Sequence, residues 1–286
     1  MRLAPLPQVM IEPVVRAALL EDLGLGGDVT SDATIPAGTQ AAASFVAREA
    51  GVLAGLDAAL LAFRLLDPDV SIRVEKHDGD ALAPGAAIAF ISGDARAILS
   101  AERTALNLLC HLSGIATATA AFVKAIGPAK CTIAETRKTT PGLRAFEKYA
   151  VRAGGGANHR LRLDDAILIK DNHIAVAGGI GAAIDAAGAR AGHLMKIQIE
   201  VDTLAQLDEV LERAGRVDAV LLDNFALDDL REAVRRTGGR LLVEASGGVR
   251  LETVAAIAAT GVDVISSGAL THSARALDIG LDITTE

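Results

Sequence analysis

Residues 196–246 read KIQIEVDTLAQLDEVLERAGRVDAVLLDNFALDDLREAVRRTGGRLLVEAS. Three times in this stretch a short apolar run ends in a polar residue, at Glu200, Asp223 and Ser246. Between the runs lie helical patterns. One opens on Asp202-Thr203 and closes at Gly215, and the next spans Leu227 to Thr237 and closes at Gly238-Gly239, as capping residues and terminal glycines dictate. The same rhythm extends outward. CTIAET and AILIK precede it, DVISSG follows, and their polar ends are Arg137, Lys170 and Ser267. Successive ends are 33, 30, 23, 23 and 21 residues apart, which suits a repeated strand, loop, helix and return. Six such units with parallel strands predict a barrel or partial barrel, whose functional residues gather where the strands finish.

Before about residue 115 the texture differs. A short helical pattern runs from Ile11 to Leu23, followed by the turn-rich GLGGDVTSDATIP and strand-like runs near Ala43 to Ala47, Val70 to Val74 and Ile88 to Ile91. A long helix is expected from Ala95 to Ile126, with a bend at Ser113-Gly114. Arg103, Asn107 and His111 recur every four residues on it and form one polar stripe, which fits a solvated face and a functional one equally.

Charge concentrates in residues 137–173, RKTTPGLRAFEKYAVRAGGGANHRLRLDDAILIKDNH. Eight of the chain's 28 Lys and Arg lie there against four acids, while the whole chain carries a formal charge of −8. A cationic island in an acidic protein points to a small polyanion rather than to nucleic acid, and 2% aromatics without tryptophan removes the stacking surfaces of a single-strand binder. Cys110 and Cys131 lack metal or redox spacing and read as free thiols of a reducing compartment. With no signal-peptide pattern and no uninterrupted apolar run of membrane length, the expectation is a soluble cytoplasmic protein.

Parallel strands bring Arg137, Lys170, Glu200, Asp223 and the Ser-Gly loops at Ser246 and Ser267 to one rim. The last two loops, Ser246-Gly247-Gly248 and Ser267-Gly268-Ala269, stand where barrels build a phosphate cup from backbone N–H groups. Cations suit carboxylates or phosphates, and two carboxylates suit sugar hydroxyls or a hydrated Mg²⁺. No Ser-His-Asp arrangement, zinc motif, P-loop or dinucleotide fingerprint is present. Lys138 or Lys170 also fits a Schiff-base lysine, which leaves a phosphate-sugar aldolase open.

The segments ETRKTTPGLRAFEKYAV, GGGANHR and LIKDNHI, with GDVTSDATIP, ERTALNLLCHLSGIAT, IEVDTLAQ, LLDN, VEASGGV and SSGALTHSARALDIGLDI, resemble in order the quinolinate phosphoribosyltransferase family over nearly the whole chain. The resemblance implies an α/β fold in two domains. Residues 1–115, completed by 276–286, would form an N-terminal α/β sandwich, and residues 116–275 an open α/β barrel with parallel strands. It implies that quinolinate reacts with phosphoribosyl pyrophosphate to give nicotinate mononucleotide, CO₂ and pyrophosphate, with Mg²⁺ as cofactor and no nucleic-acid or membrane partner.

Carried over residue by residue, Arg137, His159, Arg160 and Lys170 match the binders of the quinolinate carboxylates, joined by Arg103 from a neighbouring subunit of a homodimer. Lys138, Glu200 and Asp223 match the catalytic and metal-associated positions around the ribose and pyrophosphate, Thr136 a substrate contact, and Ser246, Gly247, Gly248, Ser267, Gly268 and Ala269 the 5′-phosphate loops. Asn172 and His173 belong to the motif and fit a loop-holding role. Arg162 stands where members often have an uncharged residue and reads as a surface charge, and Gly248 stands where some carry Asn. A scaffold relative adapted to molybdenum transport is the other alternative, against which the intact KDNHI and HR elements weigh.

Overall fold

The computed structural model describes residues 3–284. In chain order the elements begin with α1 (Gln8–Leu23), α2 (Val29–Thr34), β1 (Gln40–Ala47), β2 (Gly51–Val52), α3 (Leu56–Leu66), β3 (Ser71–Val74), β4 (Ala81–Leu82) and β5 (Ala87–Asp94). The long α4 (Ala95–Ile126) follows, then β6 (Thr132–Ala134), α5 (Arg144–Ala153), β7 (Ile167–Ile169), α6 (Asp171–Ala177) and α7 (Ile180–Arg190). The last part alternates as β8 (Ile197–Val201), α8 (Leu204–Leu211), β9 (Ala219–Asp223), α9 (Leu227–Thr237), β10 (Leu242–Ser246), α10 (Leu251–Ala258), β11 (Val264–Ser266), α11 (Ala269–His272) and β12 (Ile279–Thr284). Two compact units result. One comprises the described residues up to Ala120, Thr140–Gly155 and those from Ser273 on; the other comprises Ala121–Thr139 and Gly156–His272.

The first unit is built on an antiparallel sheet ordered β12-β1-β5-β3. Along β1 every second residue, Ala41, Ala43, Phe45 and Ala47, is buried, the period that a strand with one covered face requires. Phe45 meets Phe63 of α3 edge-on, with centroids 5.7 Å apart, and burying each ring contributes about 1.5–3 kcal/mol. The C-terminal strand β12 pairs with β1 from Ala42↔Thr284 to Ala47↔Ile279, so the end of the chain completes this sheet. Helix α2 forms inside the turn-rich segment because the Asp28 carboxylate accepts from Thr30 N and Ser31 N, a side-chain cap.

Helix α4 runs unbroken through Ser113-Gly114, where a bend is expected from the sequence. Gly114 serves close approach instead: a Cβ there would stand 2.2 Å from the Arg275 carbonyl oxygen. In length and composition α4 would also serve as a membrane span. Its Ala101, Ala105, Leu109, Leu112, Ile115 and Ala116 have no exposure, which identifies it as a core helix.

Residues 140–155 belong to the first unit rather than to the barrel in which the sequence reading places them. The reason is the apolar face of α5, where Phe146, Tyr149, Ala150 and Val151 are buried. Tyr149 OH donates to Asp78 Oδ2 at 2.8 Å. The fully buried Glu147 lies 2.9 Å from His111 Nε2 and accepts from Thr140 N at 3.1 Å.

The second unit is a six-stranded sheet ordered β6-β11-β10-β9-β8-β7 with every pairing parallel. The five strands β7 to β11 follow one another, β6 closes beside β11, and β6 and β7 are the two edges, so the barrel is open. Each strand predicted from residue 130 onward is present, with β6 ending at Ala134 and β11 at Ser266. Alternation explains the rim. On β8, Ile197, Ile199 and Val201 are buried, which leaves Gln198 and Glu200 on the opposite face. Helix α8 starts where Thr203 Oγ1 accepts from Gln206 N and Gln206 Oε1 accepts from Asp202 N, a reciprocal cap.

Candidate active site

At the C-terminal ends of the parallel strands the second unit holds a cavity of about 380 Å³, within the size range of small-molecule sites. Basic side chains line it: Arg137, Lys138, His159, Arg160 and Lys170. Glu200, Asp223 and Glu244 line it too, with Thr136, Ser246 and Ser266 and the apolar Leu168 and Leu221. Register puts Ser246 beside Asp223 and Glu200 beside Leu221, so strand-end residues far apart in sequence become neighbours.

The electrostatics are those of an anion site. Burial, and then the charge of Arg137, push the Arg160 guanidinium below its ordinary pKa. Arg160 Nη1 donates to the Ala166 carbonyl at 3.1 Å. The buried Nε atoms of Arg137 and Arg160 have no hydrogen-bond partner, and such donors left unpaired each cost about 1–3 kcal/mol. Lys170 Nζ donates to Glu200 Oε2 at 2.5 Å, an ion-paired ammonium poorly suited to Schiff-base chemistry.

A second cavity of about 600 Å³ adjoins the first and shares Thr136, Lys138, Asp223, Ser246 and Ser266 with it. Gly247, Gly248, Ser267, Gly268 and Ala269 line it. Gly247 has φ 89° and a Cβ there would fall 2.2 Å from Asn224 Oδ1, so only glycine fits this turn. Asn224 itself is the one non-glycine residue with positive φ among those described, held by its N–H on the Ser246 carbonyl at 2.9 Å. Lys138 is clamped from this side. Thr271 Oγ1 donates to the Lys138 carbonyl at 2.7 Å, and a Cβ on Gly268 would stand 2.8 Å from Lys138 Cδ.

Among the described residues no group of three or more His, Cys, Asp or Glu could hold a metal. Glu200 and Asp223 stand at the ends of neighbouring strands at the rim, a pair of carboxylates of the number that a hydrated, phosphate-bound Mg²⁺ would require.

Two family models cover nearly the whole chain: the N-terminal domain of quinolinate phosphoribosyl transferase matches residues 28–113 and the C-terminal domain residues 115–282. The chain belongs to the quinolinate phosphoribosyltransferase family. It is 50% identical over 276 residues to the nicotinate-nucleotide pyrophosphorylase [carboxylating] of Mycobacterium leprae, covering 94% of this chain and 95% of that protein. It is 43% identical to the quinolinate phosphoribosyltransferase [decarboxylating] 1b of Nicotiana tabacum, over 98% of this chain and 84% of the relative. Among solved structures, NadC from Streptococcus pyogenes superposes with a TM-score of 0.94 at 42% identity, covering 99% of each chain.

The substrate and metal residues that the sequence marks out on the barrel all line the two cavities, whereas Arg162, Asn172 and His173 line neither. Arg103 lies on α4 in the first unit, exposed. His173 Nδ1 accepts from Lys170 N at 3.0 Å, a loop-holding bond of the expected kind, and Arg162 is exposed. Glu244, Ser266, Arg250 and His272 line the cavities without having been singled out. Period two carried the signal for the first, since Glu244 precedes Ser246 by two residues and therefore shares its face.

Proposed function

We propose that the chain catalyses the reaction of quinolinate with phosphoribosyl pyrophosphate to nicotinate mononucleotide, CO₂ and pyrophosphate, a step of NAD synthesis, and that the paired cavities are where it does so. The observation that carries this reading is that five basic side chains line one cavity together with Glu200 and Asp223. A dicarboxylate needs several cations, and an activated pentose needs carboxylates for its hydroxyls.

In this reading Arg137, Arg160 and Lys170 grip the quinolinate carboxylates at the wall that also carries His159, and Thr136 closes its edge. The loops Ser246–Gly248 and Ser267–Ala269 take the 5′-phosphate in the second cavity, through backbone N–H groups. Lys138, shared by both cavities, stands where pyrophosphate departs and offsets the negative charge that develops there. Glu200 and Asp223 hold the ribose and would hold the Mg²⁺ that accompanies pyrophosphate. That ion would neutralise charge on the leaving group. As the bond from the anomeric carbon to pyrophosphate breaks, the pyridine nitrogen bonds to that carbon and becomes positive. The adjacent ring carbon then releases its carboxylate as CO₂, keeps the electron pair beside the pyridinium and takes a proton.

Arg103 of the partner subunit would complete the carboxylate site in a homodimer, and the cytoplasm is the proposed compartment. The test is a component-omission assay that follows CO₂ and nicotinate mononucleotide together. Both products form only when quinolinate, phosphoribosyl pyrophosphate and Mg²⁺ are all present; CO₂ without nucleotide, or no reaction at all, overturns the proposal. Gel filtration and an Arg103→Ala preparation mixed with a Lys138→Ala one test the shared site, since complementation restores activity only if each subunit supplies a part.

A further inference from the structure

We infer that Glu244 is a positioning residue for Arg160, acting through His159. The inference rests on the function proposed above for its kinetic consequence, but its geometric content stands on the unliganded protein.

Glu244 lies on β10, 3% exposed. Its Oε2 accepts from Gln198 Nε2 of the inner face of β8 at 2.8 Å and lies 3.5 Å from His159 Nε2. On the other side of the imidazole, His159 Nδ1 accepts the Arg160 backbone N–H at 2.7 Å. A nitrogen that accepts carries no proton, so the neutral ring is held as the Nε2–H tautomer with its N–H toward Glu244. The loop is pinned once more, since Glu135 Oε1 accepts from His159 N at 3.1 Å. Both ring nitrogens thus turn to the protein, and the imidazole works as a strut between the barrel floor and the backbone of Arg160. Arg160 is then fixed at both ends, by this strut and by its bond to the Ala166 carbonyl at 3.1 Å, while the residue lines the cavity.

The second oxygen of Glu244, Oε1, has no partner. This makes Glu244→Gln an informative variant: its carbonyl can accept from both Gln198 and His159 in place of Oε2, with the NH₂ where Oε1 stands alone. Glu244→Ala removes the strut's foot altogether.

The experiment has two arms. In the first, ¹⁵N NMR of histidine-labelled, substrate-free protein, with His159 assigned by its Gln variant, reads the tautomer. The Nε2–H form in the wild type and in Glu244→Gln, and a mixture in Glu244→Ala, is expected. An Nδ1–H tautomer in the wild type overturns the inference whether or not the enzyme turns over quinolinate. In the second, Glu244→Ala raises KM for quinolinate about tenfold or more, as a displaced clamp should, leaves KM for phosphoribosyl pyrophosphate unchanged, and Glu244→Gln restores the quinolinate KM to within about threefold of wild type. Equal rises in both KM values, or an unchanged quinolinate KM, contradict a positioning role. If Glu244→Ala does not fold, Gln198→Leu, which loosens the same carboxylate from the other side, must show the same selective rise in quinolinate KM, and its absence is refuting. Wild-type protein inactive with quinolinate would instead sink the proposed function and leave the tautomer result standing.

Discussion

Gly268→Ala separates the placement of Lys138 from the integrity of the fold. The new Cβ would stand 2.8 Å from Lys138 Cδ and 3.2 Å from both His272 Cδ2 and Thr136 Oγ1. Carbon atoms pack at about 3.5–4.0 Å, so the lysine stem must retreat by about 1 Å. The backbone does not resist, because Gly268 is not among the glycines with positive φ, and the stem can turn off its rotamer at about 0.5–1.5 kcal/mol. That stability loss lowers Tm by a few degrees at most, at about 2–4 °C per kcal/mol. If Lys138 offsets leaving-group charge as proposed, a shift of about 1 Å there costs roughly 10²-fold in rate. Steady-state kinetics beside differential scanning calorimetry checks both numbers. Wild-type kcat with Lys138 displaced in a crystal structure would refute the role given to that lysine, and a Tm collapse would refute the packing argument.

Lys138→Ala and Arg160→Ala should each retain wild-type circular dichroism and lose about 10²-fold or more in kcat/KM, the usual cost of removing one charge-stabilising donor; near-normal turnover in either counts against the site. Gly188→Ala, within α7 and with nothing within 4 Å of the new Cβ, should raise stability by about 0.5–1 kcal/mol at unchanged activity, read by urea unfolding. Burial raises the Asp78 pKa above 3.8 against the hydrogen bonds from Leu56 N, Tyr149 OH and Gly55 N. The folded chain therefore holds this proton more tightly than the unfolded one, and the contribution is full below 3.8 and lost as pH rises through the raised value. Unfolding titrations across that window should show wild type losing stability relative to Asp78→Asn as pH climbs, and parallel curves would contradict the assignment.

Much of the barrel was legible because its information is periodic. A strand of three to five residues with a polar end, repeated every 21 to 33 residues, places Lys170, Glu200, Asp223 and Ser246 on one rim without any coordinates. What periodicity does not state is which core an amphipathic helix joins. The face of α5 formed by Phe146 and Tyr149 fits a barrel wall as well as a sandwich, and the partner that decides, Asp78, lies 71 residues from Tyr149. Gly114 misled for a related reason, since a glycine in a helix reads as a bend until the Arg275 carbonyl that passes over it is seen. Glu244 was overlooked because buried carboxylates are rare and VEAS reads first as core. Ser266 gave way to Ser267 as the strand's end because adjacent serines cannot be told apart by composition, whereas in the structure β11 ends at Ser266, which lines both cavities.

The central claim is that basic side chains from separate strands form one mouth for a dicarboxylic heterocycle. Crystallographic location of bound quinolinate tests it most directly. Both ring carboxylates should lie in the cavity between Arg137, Arg160 and Lys170, with the ring nitrogen toward the Lys138 and Asp223 side. Density for the ligand elsewhere, with those three side chains unengaged, would contradict it.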